Sequence, residues 1–300
     1  MREKGIVLLV LALLAPACAA GASPSPDPGI HWESYLPDFP PVNGPQPGSV
    51  PGCRKPSLKC INTEIRKMRA AQKRFGCDHR GVFATTYLTL TLALKDAVVK
   101  QPNLFMHKGY LFIEDALFAA YYFRTLNRYA AGKTVPAAWK IALDAAKSPD
   151  LNGAQDMLLG INAHVQNDMP FVVAALGLTT KSGATRKPDH DAVNEVLAQA
   201  YEPVVEAVAA RYDPFVSLTN ASWDPADDIA GLEMVREWRE QVWRNAERLV
   251  EAKTAADRKQ VSDQIQAYAA GWAQGIATKA MPGYGASRDA YCASKLKQSG

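Results

Sequence analysis

The chain has 300 residues, a net charge of +4, 48% hydrophobic residues and 21% charged residues. So mild a positive balance gives no electrostatic case for nucleic-acid binding, and the apolar content is ample for a real core. A single globular unit preceded by a tail is expected.

Residues 1–18 have the layout of a secretory signal. Arg2 and Lys4 precede an apolar run from Ile6 to Leu14, too short to span a bilayer, and small residues follow. Losing Arg2, Glu3 and Lys4 takes one unit from +4 and leaves +3. The stretch "LAPAC" raises a second reading in which Cys18 becomes an acylated first residue, although Ala15 stands where a Leu is usual. Either way the chain is expected outside the cytoplasm, secreted or lipid-anchored at the cell envelope, with membrane contact only through that anchor.

Residues 19–52 hold nine of the 20 prolines and form an arm or tether. His31, Trp32, Tyr35 and Phe39 favour an arm that packs on the domain. With Cys18 removed or lipidated, Cys53, Cys60, Cys77 and Cys292 remain, an even set that suits an oxidising compartment. Spacing leaves three pairings open; we expect a local Cys53–Cys60 loop and a long-range Cys77–Cys292 clasp, the latter contributing about 2 to 5 kcal/mol.

From residue 53 to 300 the pattern is helical. "INTEIRKMRAAQKRF" carries apolar residues at helical spacing, "DHRGVFATTYLTLTLALKDAVVK" opens on a capping Asp78, and "GYLFIEDALFAAYYFRTLNRYAAG" ends on Gly132. "VPAAWKIALDAAK" places Pro136 in a first turn. Then come "NGAQDMLLGINAHVQND", "PFVVAALGL", "PDHDAVNEVLAQAYEPVVEAVAARY", a long charged helix capped by Asp224, and "DRKQVSDQIQAYAAGWAQGIATKA". About eight helices with short loops predict one all-α, bundle-like domain.

No G-x-S-x-G elbow, G-x-G-x-x-G, Walker loop or H-E-x-x-H occurs, which takes weight from the common nucleophile and nucleotide classes. The stretch "LLGINAHVQNDMPFVVAALG" is the unusual one. Read as a helix from Gly153, it sets Asp156, Gly160, His164 and Asp168 on one stripe at intervals of four. A His and an Asp one turn apart reach a single metal ion, Gly160 admits another backbone or a substrate, and Pro170 ends or kinks the helix beside them.

Further candidates are His79 in "CDHR", His190, Asp191 and Asn194 in "RKPDHDAVN", and Asp115 in "LFIEDALF". Asp78 and Asp189 have a structural task as caps. A buried Asp115 requires a cationic, metal or hydrogen-bonding partner. Arg186 and Lys187 stand just ahead of His190, as suits an anionic ligand. "REWREQVWRNAERL" reads as a solvated ladder with a Glu240–Arg244 pair, and Trp238 and Trp243 as core or interface.

In "CDHRGVFATTYL", "VPAAWKIALDAA", "DMLLGINAHVQNDMPFVVAALGL", "SGATRKPDHDAVN" and "WRNAERL" the chain resembles the secreted helical proteins grouped as domain of unknown function 5995. That resemblance covers roughly Cys60 to Cys292 and implies no established activity. "HVQNDMP" is also similar, through His164, Asp168 and Pro170, to the all-helical zinc phospholipase C and single-strand nuclease group. It departs from that group in lacking a further His on the same helix and an N-terminal Trp ligand.

Two functions follow as expectations. The first is a divalent metal, such as zinc, held by His164, Asp168 and His190, with His79 as a substitute ligand. It would activate water against a small anionic or ester substrate, with Asp191 or Asp115 as base or orienter and Arg186, Asn162 and Asn194 at the substrate. The second is a non-enzymatic envelope or binding protein in which "NAHVQND" is a buried hydrogen-bond network that fixes helix packing.

Overall fold

Helical spacing becomes a stack of helices in the computed structural model, which describes residue 50 and residues 52–218, 225–279 and 281–298. In chain order these are α1 (Leu58–Phe75), α2 (Arg80–Lys100), α3 (Lys108–Ala130), α4 (Ala137–Ala145), α5 (Gly153–Asn162), α6 (Met169–Leu176), α7 (Lys187–Arg211), α8 (Phe215–Leu218), α9 (Pro225–Glu251), α10 (Ala255–Ala277) and α11 (Tyr284–Gln298). A π-helical stretch, Ala163–Asp168, joins α5 to α6 into one continuous rod. Counted so, the described residues hold ten helices and no strand, and the chain is all-α. The signal, lipid-anchor and arm expectations for residues 1–49, and the Asp224 cap, lie outside the described residues.

α2 is the central element. Through its first three turns it is buried on most sides, with Asp96, Val99 and Lys100 exposed at its C-terminal end, and it packs on α1 and α7. Its buried Phe83, Tyr87 and Leu88 join α1, α3, α4 and α5 in the main core. A second core seats Met169 and Val173 of α6 against Val242, Trp243 and Ala246 of α9 and Ile265 of α10. Capping boxes start two helices: Asn152 accepts from Gln155 N at 2.9 Å before α5, and Thr254 accepts from Asp257 N at 3.0 Å before α10.

Both expected cysteine pairs form. Cys53 and Cys60 have Cα atoms 5.0 Å apart, and Cys77 and Cys292 5.7 Å, which fits an oxidising compartment. The second pair fastens α11, a helix that the apolar spacing did not announce. α11 buries Gly285, Arg288 and Cys292, and Arg288 donates to the carbonyls of Ser148 (2.8 Å) and Leu151. Gly285 fits because a Cβ there would lie 2.3 Å from the Pro149 carbonyl oxygen.

One surface expectation is corrected. Glu240 and Arg244 do pair, at 2.7 Å, but their side chains are 6% and 4% exposed, and Lys187 Nζ joins Glu240 at 2.8 Å from α7. The face that carries them packs toward α7 instead of standing in solvent. Trp238 and Trp243 are buried as expected.

Candidate functional site

Pro170 has no N–H and crowds the carbonyl of Gln166 one turn back, so an unbroken α-helix cannot pass it. The chain answers by widening the turn: the Met169 N–H donates to the His164 carbonyl, five residues back, and the helix then runs on to Leu176. The expected end or kink at Pro170 is therefore replaced by a π-bulge. Inside it, the Asp168 carboxyl accepts from His164 Nδ1 (3.0 Å), Trp139 Nε1 (2.8 Å) and Asn167 Nδ2 (2.8 Å). Asn162 accepts from Gln166 Nε2 at 2.8 Å and donates to the Ala269 carbonyl at 2.9 Å, which ties the rod to α10. His164 is orientated further by Phe118, stacked on it at 3.4 Å between ring centroids.

The other expected metal ligands are engaged elsewhere. His79 Nδ1 lies 2.6 Å from Asp156 Oδ2, beside Arg288, so Asp156 does not share a site with His164. His190 Nε2 donates to the Arg239 carbonyl at 3.0 Å, and its ring faces Trp243. Among the described residues no group of three or more His, Cys, Asp or Glu is placed to hold a metal ion. The structure thus joins His164 to Asp168 and separates both from His79 and His190.

The expected substrate groups Arg186 and Asn194, and the expected base Asp191, likewise have partners within the fold. Arg186 is buried over the Tyr110 ring (4.6 Å) and donates to the carbonyls of Leu176 (2.9 Å) and Gly177 (3.2 Å), closing the C-terminus of α6. Asn194 accepts from Arg239 Nε at 2.7 Å, and Asp191 pairs with Lys187 at 2.9 Å on the outside of α7. Asp189 does not cap its helix; it accepts from the backbone N–H groups of Met106 (2.6 Å) and His107 (3.0 Å) and from the His107 ring (2.6 Å). Gly160 admits neither backbone nor substrate. Its missing Cβ would sit 2.4 Å from the Phe83 ring.

What the fold does build is a cavity of about 170 Å³ between α2, α3, α5, the π-bulge, α7 and α9. Its wall is largely apolar, from Leu90, Leu94, Phe118, Ile161, Val196 and Val205 among others, and a few polar side chains reach it. His164 Nε2, the Tyr87 hydroxyl, Asp115 Oδ2 and Glu114 Oε2 are buried there without a hydrogen-bond partner. Such atoms cost free energy in an apolar wall unless something meets them.

Asp115 overturns the expectation that it would have a partner. Burial, then the neighbouring carboxyls of Glu64 and Glu114, drive its pKa well above the carboxylate range, and Lys67 opposes them weakly. Burial likewise lifts Glu114 to about 7, against Arg239. His164 is held below the ordinary imidazole range by burial, and Asp168 only partly offsets this. The cavity therefore presents a carboxyl at Asp115 that burial and like charges hold toward its protonated form, an imidazole held toward its neutral form, and a phenol.

Tyr87, Glu114, Phe118 and Arg239 were not anticipated as site residues. A signal existed for one of them: Glu114 and Asp115 are adjacent in an apolar helix, about 100° apart, so both cannot leave the core when apolar residues flank them on either side.

No curated protein and no solved structure matches the chain. The likeness to the zinc phospholipase group therefore rests on His164, Asp168 and Pro170 alone. The match that holds is to the family of unknown function DUF5995, which takes in residues 61–279, from the second turn of α1 to the end of α10; the chain belongs to that family.

Proposed function

We propose that the chain is a binding protein whose interior cavity takes a small, mostly apolar molecule with one polar head. The observation that supports this is the set of four unpartnered polar atoms, on Tyr87, Glu114, Asp115 and His164, inside an otherwise apolar wall. For scale, an engineered cavity of about 150 Å³ holds benzene. In this reading the His164–Asp168 pair positions a hydrogen-bonding imidazole: its Nδ1 is engaged, so Nε2 is the free acceptor that a ligand meets. The two disulfides and the N-terminal pattern of Arg2, Lys4 and an apolar run support work outside the cytoplasm, by secretion or through Cys18. Ester hydrolysis at a metal on His164, Asp168 and His190 has less support, since His190 has its own partner in Arg239.

The test is thermal unfolding of the full chain in a panel of ring-sized apolar compounds, beside a variant with the cavity filled, Val196→Phe. A ligand at 100 times its Kd adds about 2.7 kcal/mol, which moves the transition by several degrees. The reading expects such shifts in the wild type and their loss in the filled variant. Shifts in neither, or equal shifts in both, would overturn it.

A further inference from the structure

We propose that the cavity selects a positively charged nitrogen, a small amine or ammonium compound with an apolar body about the size of a benzene ring, its head held between Asp115 and the Tyr87 ring. This rests on the cavity reading and names the head group.

Three observations converge on it. The unmet atoms are mainly acceptors: His164 Nε2 is a lone pair because Nδ1 faces Asp168, and Asp115 Oδ2 and Glu114 Oε2 are carboxyl oxygens. A ligand that brings N–H donors satisfies them, and one that brings only acceptors does not. At Asp115 itself the local charge is also one-sided, since Arg239, the cation in the same wall, acts on Glu114. Glu64 and Glu114 act on Asp115 with like sign, while Lys67, the cation that opposes them, already holds both oxygens of Glu64 at 2.9 and 3.1 Å. An alcohol leaves that crowding in place; a cation relieves it.

Finally, the polar end is walled by aromatic rings. Phe118 lies one turn after Asp115 on α3, with Tyr87 5.7 Å from Phe118 and 5.9 Å from Phe83 between ring centroids. Ring faces carry the negative end of the quadrupole and attract a desolvated cation. A carboxyl, a neutral imidazole and three rings about one apolar space form a receptor for ammonium.

The experiment titrates the full chain at pH 7.5 with 2-phenylethylamine, 2-phenylethanol and phenylacetate, which share a body and differ in the head. The amine is expected to bind at least tenfold more tightly than the alcohol, and phenylacetate most weakly. Asp115→Asn should remove the amine's advantage over the alcohol, with Glu114→Gln as a second variant should the first fail to fold. Equal or tighter binding of the alcohol, or an amine preference that survives in the variant, would overturn the head-group inference and leave the cavity reading standing. Binding of none of the three by the wild type would overturn both.

Discussion

The π-bulge and the cavity wall of α3 pose the same problem and resolve it in opposite ways. Each sets carboxyl groups into an apolar helix. Asp168 gathers three donors within 3.0 Å, from its own rod and from α4, whereas Asp115 Oδ2 has none and gains two more carboxyls as neighbours. A polar group whose bonds close locally holds helices together; one whose bonds stay open beside a space is available to a visitor.

The sharpest way to break that comparison is to remove each carboxyl in turn. Asp168→Ala leaves the Trp139, His164 and Asn167 donors buried and unmet, and should cost about 3 to 5 kcal/mol in urea unfolding. Asp115→Asn, which deprives no partner, should cost far less. Equal losses at the two sites would sink the distinction.

A pH series sharpens it next. Glu114 takes its proton at about 7 in the folded chain against an ordinary 4.5, so the folded state binds more protons across that window, and its stability falls as pH rises through it. Glu114→Gln should therefore gain on the order of 3 kcal/mol at pH 8 relative to its effect at pH 4. A difference between variant and wild type that does not change with pH would show that the carboxyl is not held protonated.

Smaller still is Gly160→Ala, where a Cβ meets the Phe83 ring and forces a core shift. A loss of about 1 to 3 kcal/mol is expected, read as a fall in the urea midpoint. At the bottom of the scale, Lys100→Ala on the exposed i,i+4 pair with Asp96 should change stability by about 0.3 to 0.5 kcal/mol in the same assay.

Much of this was legible before any coordinates. The 3.6-residue period located the core helices, and the four-residue spacing of His164 and Asp168 foretold their contact, because both are properties of a single helix. The long-range partners were not legible. His79 finds Asp156 at a separation of 77 residues and His190 finds the Arg239 carbonyl at 49, and no local pattern encodes such meetings. α11 escaped for another reason: its buried face runs Gly285, Arg288, Cys292, so the middle of its core stripe is a guanidinium. The space beside Asp115 was equally invisible, since a cavity is a property of five helices at once and of none alone.

The clasp at Cys292 also bears on when the molecule becomes itself. Its partner, Cys77, precedes α2, and 215 positions separate the two, so the closed ring contains nearly every helix described. By chain entropy such a ring is worth about 5 kcal/mol. None of that is available before Cys292 has been made and can meet Cys77, because the ring cannot close without it. Until the ring closes, α11 is joined covalently to the other helices only through the residues that precede it, and its hold rests on the Arg288 hydrogen bonds and the packing of Gly285.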